Sequence, residues 1–342
     1  MPKALRIHRN GGPEVLVVEE VPRPDFGPGE ALISSRAGGI NFIDIHQRAG
    51  RYPLPTLPVT LGMEGVGIVA SVGQDVTQVA PGDRVAYILG GHGATPGAHC
   101  EEVAVDADSL VKLPDEIDDR TAAGMLLKGL TTHFLVHDAY PVRTGETILV
   151  HAAAGGVGLL LCQWARLLGA RVIGTAGSRD KADLAIEHGC HHVILYREEP
   201  VAPRVRALTG GEGVSAVFDA VGKDTFEASL DSLKVRGTLV SFGTASGPVP
   251  PFNLFELNPR GSLYVTSAGL AWYTRSRAEL LKRAGALIAL VATGALKIPI
   301  RQHWPLAEAR RAHEALEQRA TSGMSVLDIA GSPANTPPSG QQ

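Results

Sequence analysis

Cysteine is scarce in this sequence, with three residues in a chain of 342. Cys100, Cys162 and Cys190 are odd in number and far apart along the chain. A domain held together by disulfides has denser and more regularly spaced cysteine. The composition therefore argues against a disulfide framework, and we expect a reducing, cytoplasmic setting.

Long apolar runs and an excess of charge of one sign are also missing. No uninterrupted apolar stretch reaches the roughly 20 residues that a membrane-spanning helix needs. The start, MPKALRIHRN, lacks the apolar core of a signal peptide. The formal net charge is −3, which gives no basic surface for nucleic acid or for an anionic membrane. We expect neither of them as a partner.

Glycine and proline are abundant, with 40 and 23 residues that punctuate short segments without forming a repeat. Over residues 1–120, short β-like runs alternate with turn sequences such as Gly27-Pro28-Gly29 and Pro81-Gly82-Asp83. The runs are Val15–Val18, Ala31–Ser35, Gly65–Val72 and Arg84–Ile88. Short strands separated by polar turns predict an antiparallel or barrel-like β domain.

A different pattern begins near residue 121, where the helical segment Thr121–Tyr140 precedes strands and helices in regular alternation. The predicted strands are Thr147–His151, Arg171–Thr175, His192–Leu195, Ala216–Ala220, Gly237–Phe242 and Ser262–Thr266. The helices between them are Gly156–Leu168, Lys181–His188, Ala202–Thr209 and Asp224–Leu233. This alternation predicts a parallel sheet wrapped by helices, so the fold class is α/β, a β-rich domain plus a doubly wound parallel-sheet domain.

The last predicted elements are the helices Ser276–Thr293 and Leu306–Arg319, with the extended segments Ile298–Arg301 and Gln302–Pro305 between them. We expect these elements to rejoin the β-rich domain. The predicted domains are therefore residues 1–123 with 268–330, and residues 124–267. Residues 331–342 (GSPANTPPSGQQ) have the composition of a disordered tail.

A glycine-rich turn follows the strand Thr147–His151 and opens the next helix, which is the context of a dinucleotide fingerprint. The glycine positions of G-x-G-x-x-G correspond to Ala153, Gly155 and Gly158. Gly155 would let the backbone approach a pyrophosphate, and the helix N-terminus would supply N–H groups to the phosphates. The alternative is a glycine turn without a ligand. The predicted cofactor-binding residues of this loop are Ala154, Gly155, Gly156 and Val157.

The end of the second strand distinguishes NADPH from NADH. An NAD site needs an acidic residue about 20 positions after the glycines, and here that region, Ile173–Arg179, has no Asp or Glu. Ser178, Arg179 and Lys181 instead suit a 2′-phosphate, although Lys181 has the alternative of an ordinary solvated helix position. Asp180 is expected on the next helix, facing solvent. We predict NADPH as the cofactor and add Gly174 and Thr175 to the residues that bind it.

Further motifs are spread along the chain. They are GGPEVL at 11–16, GINFID at 39–44, GMEG at 62–65, PGDRV at 81–85, KGLT at 128–131, and Gly145, Glu146, Leu149, Gln163 and Arg166 around the glycine loop. On these motifs, residues 1–329 resemble the zinc-independent quinone oxidoreductases of the medium-chain dehydrogenase/reductase superfamily, the group that includes zeta-crystallin. The resemblance implies a GroES-like catalytic domain, a Rossmann domain, and a cleft between them for nicotinamide and substrate.

The resemblance also implies the residues of the site. On the nicotinamide side they are Asn41, Tyr52, Lys128 and Thr131; near the 2′-phosphate, Ser178, Lys181 and Tyr196; elsewhere along the cofactor, Ser241, Phe242, Gly243 and Arg319. Asn41 and Tyr52 would orient nicotinamide or substrate and donate hydrogen bonds. His46 stands where close relatives often have Tyr, and its expected role is that of a polar lining residue or, alternatively, a proton donor.

The zinc ligands of related dehydrogenases are replaced here. Asn41 stands where the zinc-dependent relatives have Cys, and Met63 where they have His; amide and thioether groups are poor ligands for Zn²⁺. The region Gly90–Cys100 has one cysteine in place of a four-cysteine structural loop. The cluster EHGCHH at 187–192 is better explained by a helix end, a glycine turn and a strand start than by a metal. We predict no metal ion.

The predicted function is NADPH-dependent reduction of quinones by direct hydride (or electron) transfer without a metal. One alternative is reduction of an enone or enoyl double bond by the same apparatus. An alternative of another class is a crystallin-like structural role, in which NADPH only stabilises the fold. We also predict a homodimer, because in similar proteins the strand Ser262–Thr266 forms a sheet edge, and an exposed apolar edge favours pairing.

Overall fold

In the computed structural model, residues 1–89 and 97–329 are described. The chain divides into two compact units, one formed by Met1–Leu127 with Ile300–Gln342 and the other by Lys128–Pro299. The predicted tail at 331–342 and most of the region Gly90–Cys100 lie outside the described residues.

The N-terminal segment is rich in short strands. In chain order its elements are β1 (Lys3–Ile7), β2 (Val17–Glu20), β3 (Glu30–Gly39), α1 (Phe42–Arg48), β4 (Val59–Thr60), β5 (Glu64–Val72), β6 (Arg84–Ile88), β7 (Glu102–Asp106), β8 (Leu110–Lys112) and α2 (Asp119–Phe134). The expected run Val15–Val18 is displaced, because Pro13 begins a 3₁₀ turn and β2 starts only at Val17. Proline fixes φ near the helical value and has no N–H for a strand ladder.

The second unit alternates strands and helices. After α2 its elements are β9 (Thr147–Val150), α3 (Gly156–Leu167), β10 (Arg171–Ala176), α4 (Arg179–Glu187), β11 (His192–Leu195), α5 (Val201–Leu208), β12 (Val214–Asp219), α6 (Phe226–Ser232), β13 (Leu233–Ser241), β14 (Tyr264–Ser267) and α7 (Arg277–Ala292). Every predicted strand and helix of this region is present, with ends that differ by a few residues. In the described parts of the chain, no helix is long and apolar enough to cross a membrane.

The six strands of this unit form one parallel sheet in the order β11-β10-β9-β12-β13-β14. Counted from β9, this is the order 3-2-1-4-5-6 of the Rossmann fold. Leu149, Ile173 and Val217 of its central strands belong to one buried apolar core, as a parallel sheet covered by helices requires. The order reverses between β9 and β12, and open α/β sheets bind ligands beyond the carboxyl ends of the strands at such a point.

The chain then returns to the first unit with β15 (Ile300–Pro305), α8 (Ala309–Glu317) and β16 (Met324–Asp328). These strands extend a seven-stranded sheet in the order β15-β16-β3-β5-β6-β8, in which β7 also pairs with β3. β1, β2 and β4 form a smaller sheet. Apart from the parallel pair β15–β16, all these strand pairs are antiparallel. The predicted β-rich domain is therefore confirmed.

The predicted boundary at residue 268 is wrong, because α7 belongs to the second unit. Arg283 of α7 is buried, and its guanidinium donates to Asp138 Oδ2 at 2.6 Å and to the carbonyl of Tyr273 at 2.7 Å. A buried cation needs such partners, and both of them lie within residues 128–299. The polypeptide re-enters the first unit only at Ile300.

Candidate active site

The turn between β9 and α3 forms a tight loop at the switch point of the sheet. Ala152 has a left-handed backbone (φ 51°), and its carbonyl accepts a hydrogen bond from Gly155 N–H at 2.9 Å. Gly155, Gly156 and Val157 are partly exposed where α3 begins. The N–H groups of a helix's first turn have no partner within the helix, so this end of α3 can bind an anion.

The two fingerprint glycines of the loop have different surroundings. A Cβ on Gly158 would lie 2.3 Å from Ala152 O and 2.8 Å from Ala153 O, so helix and loop backbone touch there. A Cβ on Gly155 would meet a single atom within 4 Å, Ala152 O at 3.2 Å. Gly158 therefore permits close packing, whereas Gly155 keeps the outer surface of the loop open.

Three of the predicted cofactor-binding residues, Ala154 of the loop and Gly174 and Thr175 of the neighbouring strand, are buried. Ala154 belongs to a small apolar cluster. Gly174 packs against the loop, since a Cβ on Gly174 would lie 2.7 Å from the Cβ of Ala153. The Thr175 hydroxyl lies 3.1 Å from His151 Nδ1 and accepts the N–H of Ala152 at 3.3 Å. These three positions support the loop from inside the protein.

Ser178, Lys181 and Tyr196 lie near the carboxyl ends of β10 and β11. Ser178 is the N-cap of α4, Lys181 is in its first turn, and Tyr196 directly follows β11. A Cβ on Gly177 would lie 2.5 Å from the Tyr196 hydroxyl, so this hydroxyl lies against the turn that precedes Ser178. Asp180 is exposed on α4, as predicted. The turn therefore presents hydroxyl and cationic groups together.

The remaining predicted residues of the second unit fall into two sets. The segment Ser241–Gly243 ends β13, and the N–H of Phe242 donates to Asp219 O at 2.9 Å. This bond places the segment at the same edge of the sheet as the glycine loop. Lys128 and Thr131 lie one turn apart on α2, and both are buried.

In the first unit, Asn41 precedes α1 and is held by two carboxylates. Its Nδ2 donates to Glu64 Oε1 at 3.0 Å, and its backbone N–H donates to Asp44 Oδ2 at 2.7 Å. Glu64 is itself buried and accepts the N–H of Leu127 at 2.8 Å. The orientation of the Asn41 amide is therefore fixed by the protein.

His46 and Tyr52 are neighbours at the other end of α1. Their ring centroids are 5.0 Å apart, His46 is buried, and Tyr52 is exposed. Burial lowers the pKa of His46, and Arg51, whose Nη1 lies 3.5 Å from His46 Nδ1, lowers it further. A neutral imidazole is favoured at neutral pH, which supports the lining role for His46 over the role of proton donor.

A buried arginine joins α1 to α8. Arg48 is 1% exposed, and its guanidinium bonds to Glu317 Oε1 at 2.6 Å and to His313 Nδ1 at 3.2 Å. Burial lowers the pKa of His313 to about 3, so its Nδ1 acts as an acceptor. Arg319 follows α8 with a left-handed backbone (φ 57°) and is exposed. The Arg48 contacts therefore tie α1 to the segment that carries Arg319.

At the two positions where the family resemblance implies zinc ligands in related dehydrogenases, the side chains form hydrogen bonds within the protein. The Asn41 amide bonds to Glu64, and Met63 Sδ accepts a hydrogen bond from Gln47 Nε2 at 3.3 Å. Within residues 1–89 and 97–329, no three His, Cys, Asp or Glu side chains lie close enough to hold a metal ion. At 187–192 the chain forms a helix end, a left-handed Gly189 (φ 107°) and a strand start.

Three polar residues beneath the loop belong to no sequence motif and were not predicted. His151, Ser229 and Asp219 are buried, and neighbouring members of this set lie within hydrogen-bond distance. Only their position could have marked two of them in the sequence. His151 and Asp219 each lie at the carboxyl end of a buried parallel strand, where ligand sites form. Ser229 lies on α6, and nothing in its spacing marks it.

Comparison with known proteins identifies both units. Residues 27–115 match the family model "Alcohol dehydrogenase GroES-like domain", and residues 156–292 match "Zinc-binding dehydrogenase". A quinone oxidoreductase of Salmonella typhimurium is 47% identical over 329 residues, covering 96% of this chain and 99% of the relative. A 2-haloacrylate reductase of a Burkholderia species is 40% identical over 334 residues, with coverage of 96% and 99%.

The solved structures agree with these relatives. The crystal structure of Escherichia coli quinone oxidoreductase complexed with NADPH is 45% identical and superposes with a TM-score of 0.92. The match covers 95% of this chain and 99% of that one. With a GroES-like domain and a Rossmann domain, the chain belongs to the quinone oxidoreductase family of the medium-chain dehydrogenases/reductases.

Proposed function

We propose that the protein reduces quinones with NADPH, by direct hydride (or electron) transfer and without a metal ion. The observation that carries this proposal is the open glycine loop at the switch point of a Rossmann sheet. It occurs in a chain 45% identical to a quinone oxidoreductase crystallised with NADPH. Bound NADPH would supply the reducing equivalents.

The residues of the second unit suit NADPH. Gly155 leaves room for a pyrophosphate, and the first turn of α3 offers N–H groups and a partial positive charge to it. Ser178, Lys181 and Tyr196 would bind the 2′-phosphate, at the strand end where an NAD site has a carboxylate. The other predicted contacts along the cofactor are Lys128, Thr131, Ser241, Phe242, Gly243 and Arg319.

The residues around α1 suit a carbonyl substrate. The Asn41 amide, oriented by Glu64, and the Tyr52 hydroxyl would donate hydrogen bonds that position the substrate and stabilise negative charge on its oxygen. His46, with its lowered pKa, would line the site in the neutral form. After hydride transfer, the one further proton that completes the quinol would come from solvent.

We infer a metal-free reaction from the side chains that stand at the two ligand positions. Asn41 and Met63 stand at the two ligand positions, and both side chains already bond within the protein. Neither group is a good ligand for zinc. A quinone is already electrophilic, so a reaction with it needs positioning and charge stabilisation more than it needs a Lewis acid.

A second candidate is the reduction of a conjugated double bond. The relative named 2-haloacrylate reductase is 40% identical over nearly the whole chain, which favours a substrate with a polarised C=C bond beside a carbonyl or carboxylate. The same two hydrogen-bond donors would stabilise the charge that develops on its oxygen.

We also propose a homodimer built on the edge of the six-stranded sheet. β14 is the last strand of that sheet, and Tyr264 on it is exposed. Phe255, in the connection that leads to β14, and Trp272, shortly after it, are exposed too. An edge strand with aromatic neighbours favours pairing with a second copy across a two-fold axis.

A cytoplasmic location fits the three cysteines, none of which is in a disulfide.

The experiment that tests the proposed function compares acceptors at one NADPH concentration. We expect rapid NADPH oxidation with quinones, slower oxidation with an enone or 2-haloacrylate, and a negligible rate without an acceptor. A chelator should not change these rates. Faster turnover of the alkenes would favour the second candidate. Turnover of none of them, with NADPH still bound, would contradict both enzymatic candidates and leave a structural role for the cofactor.

A further inference from the structure

A chain of four buried polar side chains runs beneath the glycine loop. Thr175 Oγ1 lies 3.1 Å from His151 Nδ1, His151 Nε2 lies 3.1 Å from Ser229 Oγ, and Ser229 donates to Asp219 Oδ2 at 2.9 Å. Each of the four residues is at most 2% exposed. Buried polar side chains are costly unless they are hydrogen-bonded, so this chain has a specific geometry to maintain.

The hydrogen bonds of the chain can be assigned a single direction. The carboxylate of Asp219 can only accept, so the hydroxyl hydrogen of Ser229 is committed to it. Ser229 Oγ must then accept from His151 Nε2–H, which leaves Nδ1 of a neutral imidazole as an acceptor. Nδ1 accepts from the Thr175 hydroxyl, whose oxygen accepts the N–H of Ala152.

Burial supports the neutral form of His151. It lowers the pKa of this imidazole, and the charge of Asp219 opposes the effect only in part. The Nε2–H tautomer is therefore the one that gives every polar atom of the chain a partner.

At one end of this row of hydrogen-bonded side chains, Thr175 binds Ala152, the residue at which the loop turns. Ala152 is not glycine, yet it has a left-handed backbone (φ 51°), which is unfavourable for an L-residue by about 1–2 kcal/mol. Its carbonyl accepts Gly155 N–H and lies against Gly158. Through its hydroxyl and carbonyl, Thr175 binds the N–H groups of Ala152 and Ala153. The path of the loop therefore depends on Thr175.

At the other end of the row, Asp219 binds the loops that follow β12 and β13. The carboxylate of Asp219 accepts the N–H of Val221 at 2.7 Å, the N–H of Gly222 at 3.1 Å and the Thr225 hydroxyl at 2.7 Å. The carbonyl of Asp219 accepts the N–H of Phe242. These hydrogen bonds thus join three loops, those after β9, β12 and β13, at the edge of the sheet where we propose that NADPH binds.

We propose that Ser229, His151 and Asp219 are positioning residues for NADPH, which act through Thr175 and Ala152 to preset the pyrophosphate loop. Ser229 is fully buried, so its effect on binding would pass through the chain and not through contact with the cofactor. The proposal rests on the proposed function only in taking NADPH as the ligand.

The first test compares two buried serines of α6 in the full-length protein. Ser229→Ala removes the link between His151 and Asp219, whereas Ser232→Ala removes a hydroxyl that donates to the carbonyl of Ala228 in its own helix. If one loop conformation in ten remains competent, NADPH binding measured by calorimetry weakens about tenfold in Ser229→Ala. The Ser232→Ala control should change it less than about twofold, and kcat at saturating NADPH should be unchanged in both.

The second test is a double-mutant cycle. Thr175→Val breaks the same row at the end near Ala152, so we expect the double variant Thr175→Val/Ser229→Ala to bind NADPH no more weakly than the weaker single variant. Losses that multiply in the double variant would overturn the proposal, as would an unchanged affinity in Ser229→Ala.

A third measurement needs no variant that weakens the fold. The ¹⁵N shifts of His151 in the wild-type protein should show a protonated Nε2 and an unprotonated Nδ1 at neutral pH, and the reverse tautomer would overturn the assignment. Because these readouts are affinity and spectroscopy, a protein that binds NADPH but reduces no quinone would contradict the proposed function while leaving this inference intact.

Discussion

At the scale of single residues, the cofactor preference depends on which cation at the α4 turn binds the 2′-phosphate. Arg179 is highly exposed, and its guanidinium lies 3.5 Å from Glu198 Oε2. Lys181 is half-buried in the first turn of α4, three residues after Ser178, and the Tyr196 hydroxyl lies against Gly177 in the turn before this helix. Lys181 is therefore the cation that we expect to bind the 2′-phosphate.

We predict that Lys181→Ala weakens NADPH binding and leaves NADH binding nearly unchanged. One charge-assisted contact to the phosphate suggests a loss of about 1.5–3 kcal/mol for NADPH. Arg179→Ala is the matched control, and its effect should be smaller because the Arg179 guanidinium is highly exposed to solvent and lies beside the Glu198 carboxylate. Calorimetric titration with both cofactors checks this, and equal affinity for NADPH and NADH in the parent protein would refute it.

His313 should make the first unit sensitive to acid. Its pKa is about 3 in the folded protein and about 6.5 in an unfolded chain, so below pH 6.5 the unfolded state takes up a proton that the folded state does not. The free energy of unfolding therefore falls as the pH is lowered from about 6.5 toward 3, by about 1.4 kcal/mol per pH unit from this group. His313→Gln should flatten the slope by that amount in urea unfolding measured between pH 7 and pH 4, and identical slopes would contradict the assignment.

At the scale of elements, the loop between β9 and α3 contains one glycine that permits close packing, Gly158, and one, Gly155, that we propose leaves room for the pyrophosphate. Gly155→Val adds a side chain on the open surface, so we predict a folded protein whose NADPH binding is nearly abolished. Gly158→Ala forces a methyl group within 3 Å of two backbone oxygens, so we predict a loss of about 1–3 kcal/mol of stability. Thermal unfolding and NADPH titration of both variants check the contrast, which similar profiles would contradict.

The elements of the second unit were predictable because their signals are local. Apolar strands such as Thr147–Val150 and glycine turns such as that at Gly155 carry their pattern within a few residues. The place of α7 was not predictable, because it depends on a bond between Arg283 and Asp138, which are 145 residues apart. The glycine loop was likewise predictable from a local pattern. The contact between Ser229 and His151, which are 78 residues apart, has no such local signal.

At the scale of the whole molecule, we predict that the protein is a dimer with a mass in light scattering of twice the 35.9 kDa of one chain. Tyr264→Lys places a charge on the edge strand β14 and should shift the mass toward the monomer. Ile186→Lys, an exposed apolar residue on α4 near the opposite edge of the sheet, is the control and should leave the dimer intact. A monomeric parent protein at micromolar concentration would reject the dimer, and a dimer that persists in Tyr264→Lys would place the interface elsewhere.

The most direct test of the central claim is a single turnover. The full-length protein, saturated with NADPH under anaerobic conditions and in the presence of a chelator, is mixed with excess quinone while the absorbance of NADPH and quinol is followed. We predict that the bound NADPH is consumed and that an equal amount of quinol forms. Bound NADPH that remains unoxidised, or oxidation that stops when the chelator is present, would contradict metal-free quinone reduction by this protein.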